Sequence, residues 1–133
     1  MTEEQPAISV QSFDGDGKLT LIRRYTTNGF QINDDWMDGP VFLLPRQAAG
    51  WQPQNVADIT LAHVLSGLGD NRPAVLLLGV GGAPMTRLWE LHQALRDMNI
   101  GLEVMSTAAA CRTWNVLLSE GRDVAAGLLT AAE

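Results

Sequence analysis

The chain has 133 residues, of which 46% are hydrophobic, and 15 acidic against 9 basic residues give a formal net charge of -6. A chain of this length buries roughly two-thirds of its unfolded surface, which is enough for one domain without disulfides. The acidic balance argues against a nucleic-acid partner, and the single cysteine excludes an internal disulfide.

The N-terminus, MTEEQPAIS, is acidic and polar. It has neither the apolar core of a secretory signal nor the arginine-rich pattern of a mitochondrial presequence. The longest apolar runs have the length of a strand, which is too short for a membrane span. These features predict a cytoplasmic protein with a flexible tail at residues 1–6 and a single domain at residues 7–133.

The first third of the chain predicts β-strands. Alternating side chains and turn residues indicate a strand at 8–13, a turn at 14–17, and strands at 19–25, at 30–32 and at 41–44, the last stopped by Pro45. Residues 46–54 are typical of a loop, with Trp51 anchored on the core. A helix follows, capped by Asp58 or Thr60 and ended by Gly67 and Gly69.

The second half alternates strands and helices. The apolar run at 74–78 predicts a central strand, and a helix beginning at Pro84 with an apolar stripe leads to a parallel strand at 102–105. A helix from Ala108, capped by Ser106 or Thr107, should end at Gly121, and Asp123 should open a final helix. The expected fold class is α/β: a single layered domain whose mixed β-sheet has a β-rich N-terminal half and a C-terminal βαβα unit.

Polar groups collect where the two parallel strands end. The run VLLLGVGG at 75–82 and the run MSTAAACRTWNVLLSEGR at 105–122 each join a strand to a helix. Ligands in open α/β sheets bind at the carboxyl ends of strands, and the first amides of a helix favour anions. The predicted cleft would be lined by Gly81, Gly82, Thr107, Cys111, Arg112 and Asn115.

Each of these residues can also be explained by a structural role, without a ligand-binding cleft. The glycines lack the third glycine of a dinucleotide fingerprint and are followed by no Walker lysine, so a tight turn is favoured. Cys111 beside Arg112 could be an activated thiol, but no motif joins it to His63 or His92, and a buried cysteine is favoured. The sequence therefore assigns no catalytic residue, metal or cofactor. Glu120 and Arg122 should form a local ion pair.

The runs at 75–82 and 105–122 resemble a small domain family of unknown function. That family includes a mitochondrial respiratory complex I assembly factor, the adipogenesis-associated domain protein and many short bacterial proteins. This chain has Ser106 where the family commonly has an acidic residue, and Trp114 where tyrosine is frequent. The resemblance implies a fold and a role in assembly, and it implies no catalytic activity.

Two classes of function follow. The first is a non-enzymatic interaction or assembly module with an unidentified protein partner, for which Met85 and Trp89 are candidates for an outward apolar patch. The alternative is a small-molecule or anion-binding protein, or a weak thiol enzyme, that uses the predicted cleft. The expectation is the first class, because no complete catalytic set is present.

Overall fold

A computed structural model describes residues 18–82 and 88–132. Within these ranges the strands are β1 Ile22–Tyr25, β2 Gly29–Ile32, β3 Asp35–Asp38, β4 Val41–Leu44, β5 Gln47–Gly50, β6 Val75–Gly79, β7 Gly101–Met105 and β8 Val124–Leu128. The α-helices are α1 Leu61–Leu68, α2 Trp89–Arg96 and α3 Thr107–Ser119, and a short 3-10 helix spans Val56–Asp58. None of these helices has the length and apolar character needed to cross a bilayer.

The strands form two sheets. In the smaller sheet, β1, β2 and β3 pair antiparallel in chain order. The larger sheet has five strands in the order β5-β4-β8-β6-β7. Its first three strands pair antiparallel, whereas β8, β6 and β7 run parallel. The fold is therefore mixed α/β, as the sequence predicts.

The larger sheet separates two apolar clusters, because successive side chains of a strand point to opposite faces. On one face, Leu77 packs in a cluster with the smaller sheet and the inner face of α3. On the other face, Leu76 and Leu78 pack in a cluster with α1 and α2. The larger sheet is thus covered on both sides, and this explains the unbroken apolar run in β6.

Several sequence predictions are confirmed. Strand β4 ends at Leu44, immediately before Pro45, and β7 pairs in parallel with β6 along its full length. The side chain of Thr60 caps α1, and that of Ser106 caps α3 by accepting from the Ala109 N–H at 3.2 Å. Trp51 is buried against the core, as expected.

The loop predicted at 46–54 is wrong, because residues 47–50 form β5. Every residue of β5 pairs with β4, from Leu44↔Gln47 to Val41↔Gly50. Pro45 ends one strand and begins the tight turn that leads directly into the next. Proline at the end of a strand is compatible with a hairpin as well as with a loop.

The final helix predicted from Asp123 is also wrong. Residues 124–128 form β8, which lies in the middle of the larger sheet and is buried at every position. The C-terminal unit is therefore βαβαβ, and β6 is an interior strand beside the middle one. The sequence VAAGL has few β-branched residues, so its local preference for a strand is weak. It forms a strand because it is buried between two layers.

One helix boundary needs a smaller correction. Gly67 lies inside α1, whereas Gly69, with φ +59°, follows its last residue. The tail at 1–6, the strand at 8–13, the turn at 14–17, Pro84 and Met85 lie outside the described residues. The boundaries of a single domain stay a prediction.

Candidate functional site

Thr107 joins the two strand-to-helix turns. Its hydroxyl accepts from the Gly81 N–H at 2.8 Å and donates to the Leu129 carbonyl at 2.7 Å. The Thr107 N–H also donates to the Gly81 carbonyl at 3.1 Å. The turns that follow β6 and β7 therefore lie side by side, as the sequence predicts. Thr107 is fully buried, so its hydroxyl bonds only to groups of the protein and not to solvent.

The glycines permit this close approach. Gly81 has φ +69°, a left-handed conformation that favours glycine. At Gly79, a Cβ would lie 3.1 Å from the Cα of Thr107, so a larger side chain would push α3 away from β6. Since the Gly81 N–H already donates to Thr107, it is not directed at a phosphate. Gly82 is exposed at the end of this turn.

Cys111 lies in the apolar cluster beneath α3 and is 3% exposed. Burial raises the pKa of its thiol to about 12, and the neighbouring Arg112 charge only partly opposes that shift. The thiol is therefore protonated at neutral pH and is shielded from solvent. A buried neutral thiol is a poor nucleophile and a poor metal ligand, so the geometry favours the structural interpretation.

Asn115 and Trp114 bind the backbone that precedes and begins the smaller sheet. The Asn115 carboxamide accepts from the Ile22 N–H and donates to the Ile22 carbonyl, each at 2.9 Å. The Trp114 indole N–H donates to the Thr20 carbonyl at 2.7 Å. These contacts join residues more than 90 positions apart, and sequence reasoning missed them because neither partner is marked by a local motif.

Arg112 has a different environment from the other predicted site residues on α3. It is exposed, and no carboxylate in the described parts of the chain lies within 4.0 Å of its guanidinium. The structure thus brings Gly81 and Thr107 together and leaves Arg112 at the surface. Cys111 and Asn115 are turned inward, one to the apolar cluster and one to β1. Whether the six residues bind a ligand stays a prediction.

Three other titratable side chains, those of His63, Glu120 and Arg122, have local structural roles. His63 completes a capping box on α1, where its Nδ1 accepts from the Thr60 N–H at 3.3 Å. Arg122 and Glu120 form an exposed ion pair at 3.7 Å, as expected. In the described ranges, no group of three or more His, Cys, Asp or Glu side chains is placed to hold a metal ion.

Trp89 is the most exposed of the large apolar residues in the described parts of the chain, at 73%. It is the first residue of α2, whose Leu91 and Leu95 are buried against the larger sheet. Trp36 is 38% exposed, and its indole N–H donates to Asp38 Oδ1 at 2.7 Å. The outward position predicted for Trp89 is confirmed.

The chain is similar to a known family of proteins. A family model described as "Protein of unknown function (DUF498/DUF598)" matches residues 22–129. A human protein named NADH dehydrogenase [ubiquinone] 1 alpha subcomplex assembly factor 3 is 34% identical over 109 residues, which are 81% of this chain and 59% of that protein. The chain therefore spans about three fifths of the length of this relative.

Solved structures share the fold. A protein from Bordetella parapertussis superposes with a TM-score of 0.78 at 32% identity, covering 85% of this chain and 97% of that one. A protein described as an outer membrane protein from Bartonella henselae has a TM-score of 0.74 at 33% identity, covering 91% of this chain and 99% of that one. This chain belongs to the DUF498/DUF598 family of proteins of unknown function.

Proposed function

We propose that this chain is a non-enzymatic interaction module that takes part in the assembly of a protein complex. Its relatives include a protein named as an assembly factor of NADH dehydrogenase, which supports a role of this kind. We infer that the partner is a subunit or an assembly protein of a comparable complex. The cytoplasmic location predicted from the sequence belongs to the same proposal.

The observation that carries this proposal is the exposure of Trp89. A tryptophan that is 73% exposed keeps most of its ring in water, although it is anchored on a helix whose other face is buried. Burying such a ring against a partner is favourable, and tryptophan is enriched among the residues that dominate binding energy at protein interfaces. Trp89 is therefore the proposed anchor of the contact surface.

The chemistry around the strand ends supports a binding role over catalysis. The Thr107 hydroxyl has both a donor and an acceptor partner within the fold, and the Asn115 carboxamide is paired with Ile22. The Cys111 thiol is protonated and buried. A nucleophilic mechanism would need a base beside an accessible thiol or hydroxyl, and these contacts leave none of the three groups for that task.

Crosslinked capture from the native host tests the proposal. Tagged wild-type chain should enrich subunits or assembly proteins of a membrane complex. Trp89→Ala should weaken the affinity about thirtyfold, and so lower that recovery, if Trp89 contributes about 2 kcal/mol as an interface anchor. Trp36→Ala is the matched control, since it removes the other exposed tryptophan. Recovery of the chain alone, or equal recovery with Trp89→Ala and wild type, would contradict the proposal.

A further inference from the structure

Among the strands of the described residues, 18–82 and 88–132, β7 lies at an edge of the larger sheet. It lies at one end of the strand order, and its five residues pair with β6 without a register shift. The strand contains no proline. An uninterrupted edge strand presents a row of backbone groups that can pair with a further strand.

The outward backbone groups of β7 belong to Leu102 and Val104. The Gly101 N–H donates to the Ala74 carbonyl at 2.9 Å, and the Met105 carbonyl accepts from the Val80 N–H at 3.0 Å. Residues 101, 103 and 105 therefore face β6, and the alternate residues face away from it. Within residues 18–82 and 88–132, no acceptor lies within hydrogen-bond distance of the Leu102 or Val104 amide.

The two faces of this edge differ in chemistry. Leu102 and Val104 lie in the cluster with α2, where Leu88 and Met98 are partly buried beside them. Glu103 points to the opposite face of the sheet and is exposed. An added strand would therefore contact apolar side chains on one face and a carboxylate on the other. Cross-strand neighbours are stabilised by apolar contact and by opposite charge.

A second copy of this chain fits the edge poorly. If two β7 strands paired antiparallel with full overlap, Leu102 would face Val104 and Glu103 would face Glu103 of the second copy. That central pair would not be hydrogen-bonded to each other, and in such pairs the side chains approach most closely. Like charges placed directly opposite destabilise a sheet. The edge thus favours a partner that brings a basic side chain to this position.

We propose that the outer edge of β7 binds an extended segment of another protein, in which apolar residues alternate with Lys or Arg, and adds it as a further strand. This inference rests on the proposed function, because it names a second contact surface and the chemistry of the partner. The segment would pair with the backbone of Leu102 and Val104. Its apolar side chains would extend the cluster under α2, and its cation would lie opposite Glu103.

Two synthetic peptides test this edge on the full chain. Acetyl-TVKVKVT-amide carries the proposed pattern, and acetyl-TVEVEVT-amide reverses its charge. The basic peptide should slow hydrogen exchange at the Leu102 and Val104 amides and should bind several-fold more tightly than the acidic peptide in isothermal titration calorimetry. Glu103→Lys should reverse the preference between the two peptides. This charge exchange keeps the test informative even if a backbone variant fails to fold.

A proline substitution isolates the backbone contribution. Val104→Pro removes an outward N–H and none of the hydrogen bonds to β6, whereas Val104→Ala keeps that N–H. The proline variant should bind the basic peptide about fivefold more weakly than the alanine variant, because one hydrogen bond is lost. Equal affinities of the two variants would mean that the peptide does not add as a strand.

Three results of the exchange experiment would also overturn the inference. In the first, neither peptide slows exchange at Leu102 and Val104. In the second, these amides are already protected in the free chain. In the third, protection rises with protein concentration without peptide, which would mean that a second copy occupies the edge. Capture of a partner that depends on Trp89 but is not displaced by the basic peptide would leave the proposed function standing and remove this inference alone.

Discussion

The Asn115 carboxamide holds both backbone groups of Ile22, accepting from its N–H and donating to its carbonyl at 2.9 Å each. The side chain thus imitates the edge of a neighbouring strand. Beside it, Trp114 binds the Thr20 carbonyl, so α3 fastens the chain where it enters the smaller sheet. The run at 105–122, one of the two on which the family resemblance rests, therefore attaches α3 to the start of the smaller sheet.

Removing the Asn115 carboxamide should weaken the attachment of α3 to β1. Asn115→Ala should lower the free energy of unfolding by about 2 kcal/mol, because two backbone groups of Ile22 lose their partner. Denaturant titration followed by tryptophan fluorescence measures the change. The exposed Arg112→Ala on the same helix should change it by no more than about 0.5 kcal/mol. Equal losses in the two variants would show that the Ile22 contacts contribute nothing specific.

The buried hydroxyl of Thr107 gives a second prediction. Thr107→Val keeps the shape of the side chain but leaves the Gly81 N–H and the Leu129 carbonyl unpaired, which should cost about 1–3 kcal/mol. Thr107→Ser keeps the hydroxyl and should retain the hydrogen exchange protection of the Gly81 amide. Loss of that protection in the serine variant, or its survival in the valine variant, would refute the role assigned to the hydroxyl.

The buried thiol of Cys111 should make the free energy of unfolding depend on pH. Its pKa is about 12 in the folded chain against an ordinary 9.0, so the unfolded thiol ionises first as the pH rises. The stabilising contribution is fully present below pH 9 and is lost between pH 9 and about 12, by up to about 1.4 kcal/mol per pH unit.

Denaturant unfolding over this pH range should therefore show a steeper fall for wild type than for Cys111→Ala, which serves as the control for every other titrating group. Parallel curves would mean that the thiol is not shifted. Iodoacetamide should also label the native chain at neutral pH far more slowly than the unfolded chain, since the folded thiol is neutral and shielded.

A substitution of Gly127 tests whether β8, the middle strand, needs small residues to make room for its neighbours. A Cβ there would lie 2.6 Å from the ring of Trp51, so Gly127→Ala forces the indole out of its place. Overpacking of this kind costs about 1–3 kcal/mol. Gly101→Ala in β7 is the matched control, since its Cβ would meet the Ala74 carbonyl at an ordinary 3.5 Å. Thermal unfolding should separate the two variants clearly.

The sequence predicts the elements whose pattern is local. The strands predicted at 74–78 and 102–105 correspond to β6 and β7, because apolar runs and turn residues mark them locally. A helix lies between them as predicted, but α2 begins at Trp89, after the non-helical Leu88, and not at Pro84. The contact between Gly81 and Thr107 follows too, because parallel strands end at the same edge of a sheet. The ion pair of Glu120 with Arg122 is equally local.

The missed features depend on distant partners. β8 is a strand because β4 and β6 flank it and both faces are covered, whereas its alanines alone favour a helix. The contact between the Asn115 carboxamide and Ile22 was not predicted, because Ile22 is 93 positions away in the chain. Polar residues on a half-buried helix face can hydrogen-bond either to a ligand or to a distant backbone segment. The sequence of the helix alone does not distinguish these two cases.

Native mass spectrometry of the chain, released gently from its own host, would show whether it is bound to a protein partner. We expect a complex whose mass equals that of the chain plus one or more protein subunits, and Trp89→Ala should lose it while Trp36→Ala keeps it. A bound small molecule that survives Trp89→Ala and disappears in Arg112→Ala would contradict the proposed function and establish the strand-end residues as a ligand site.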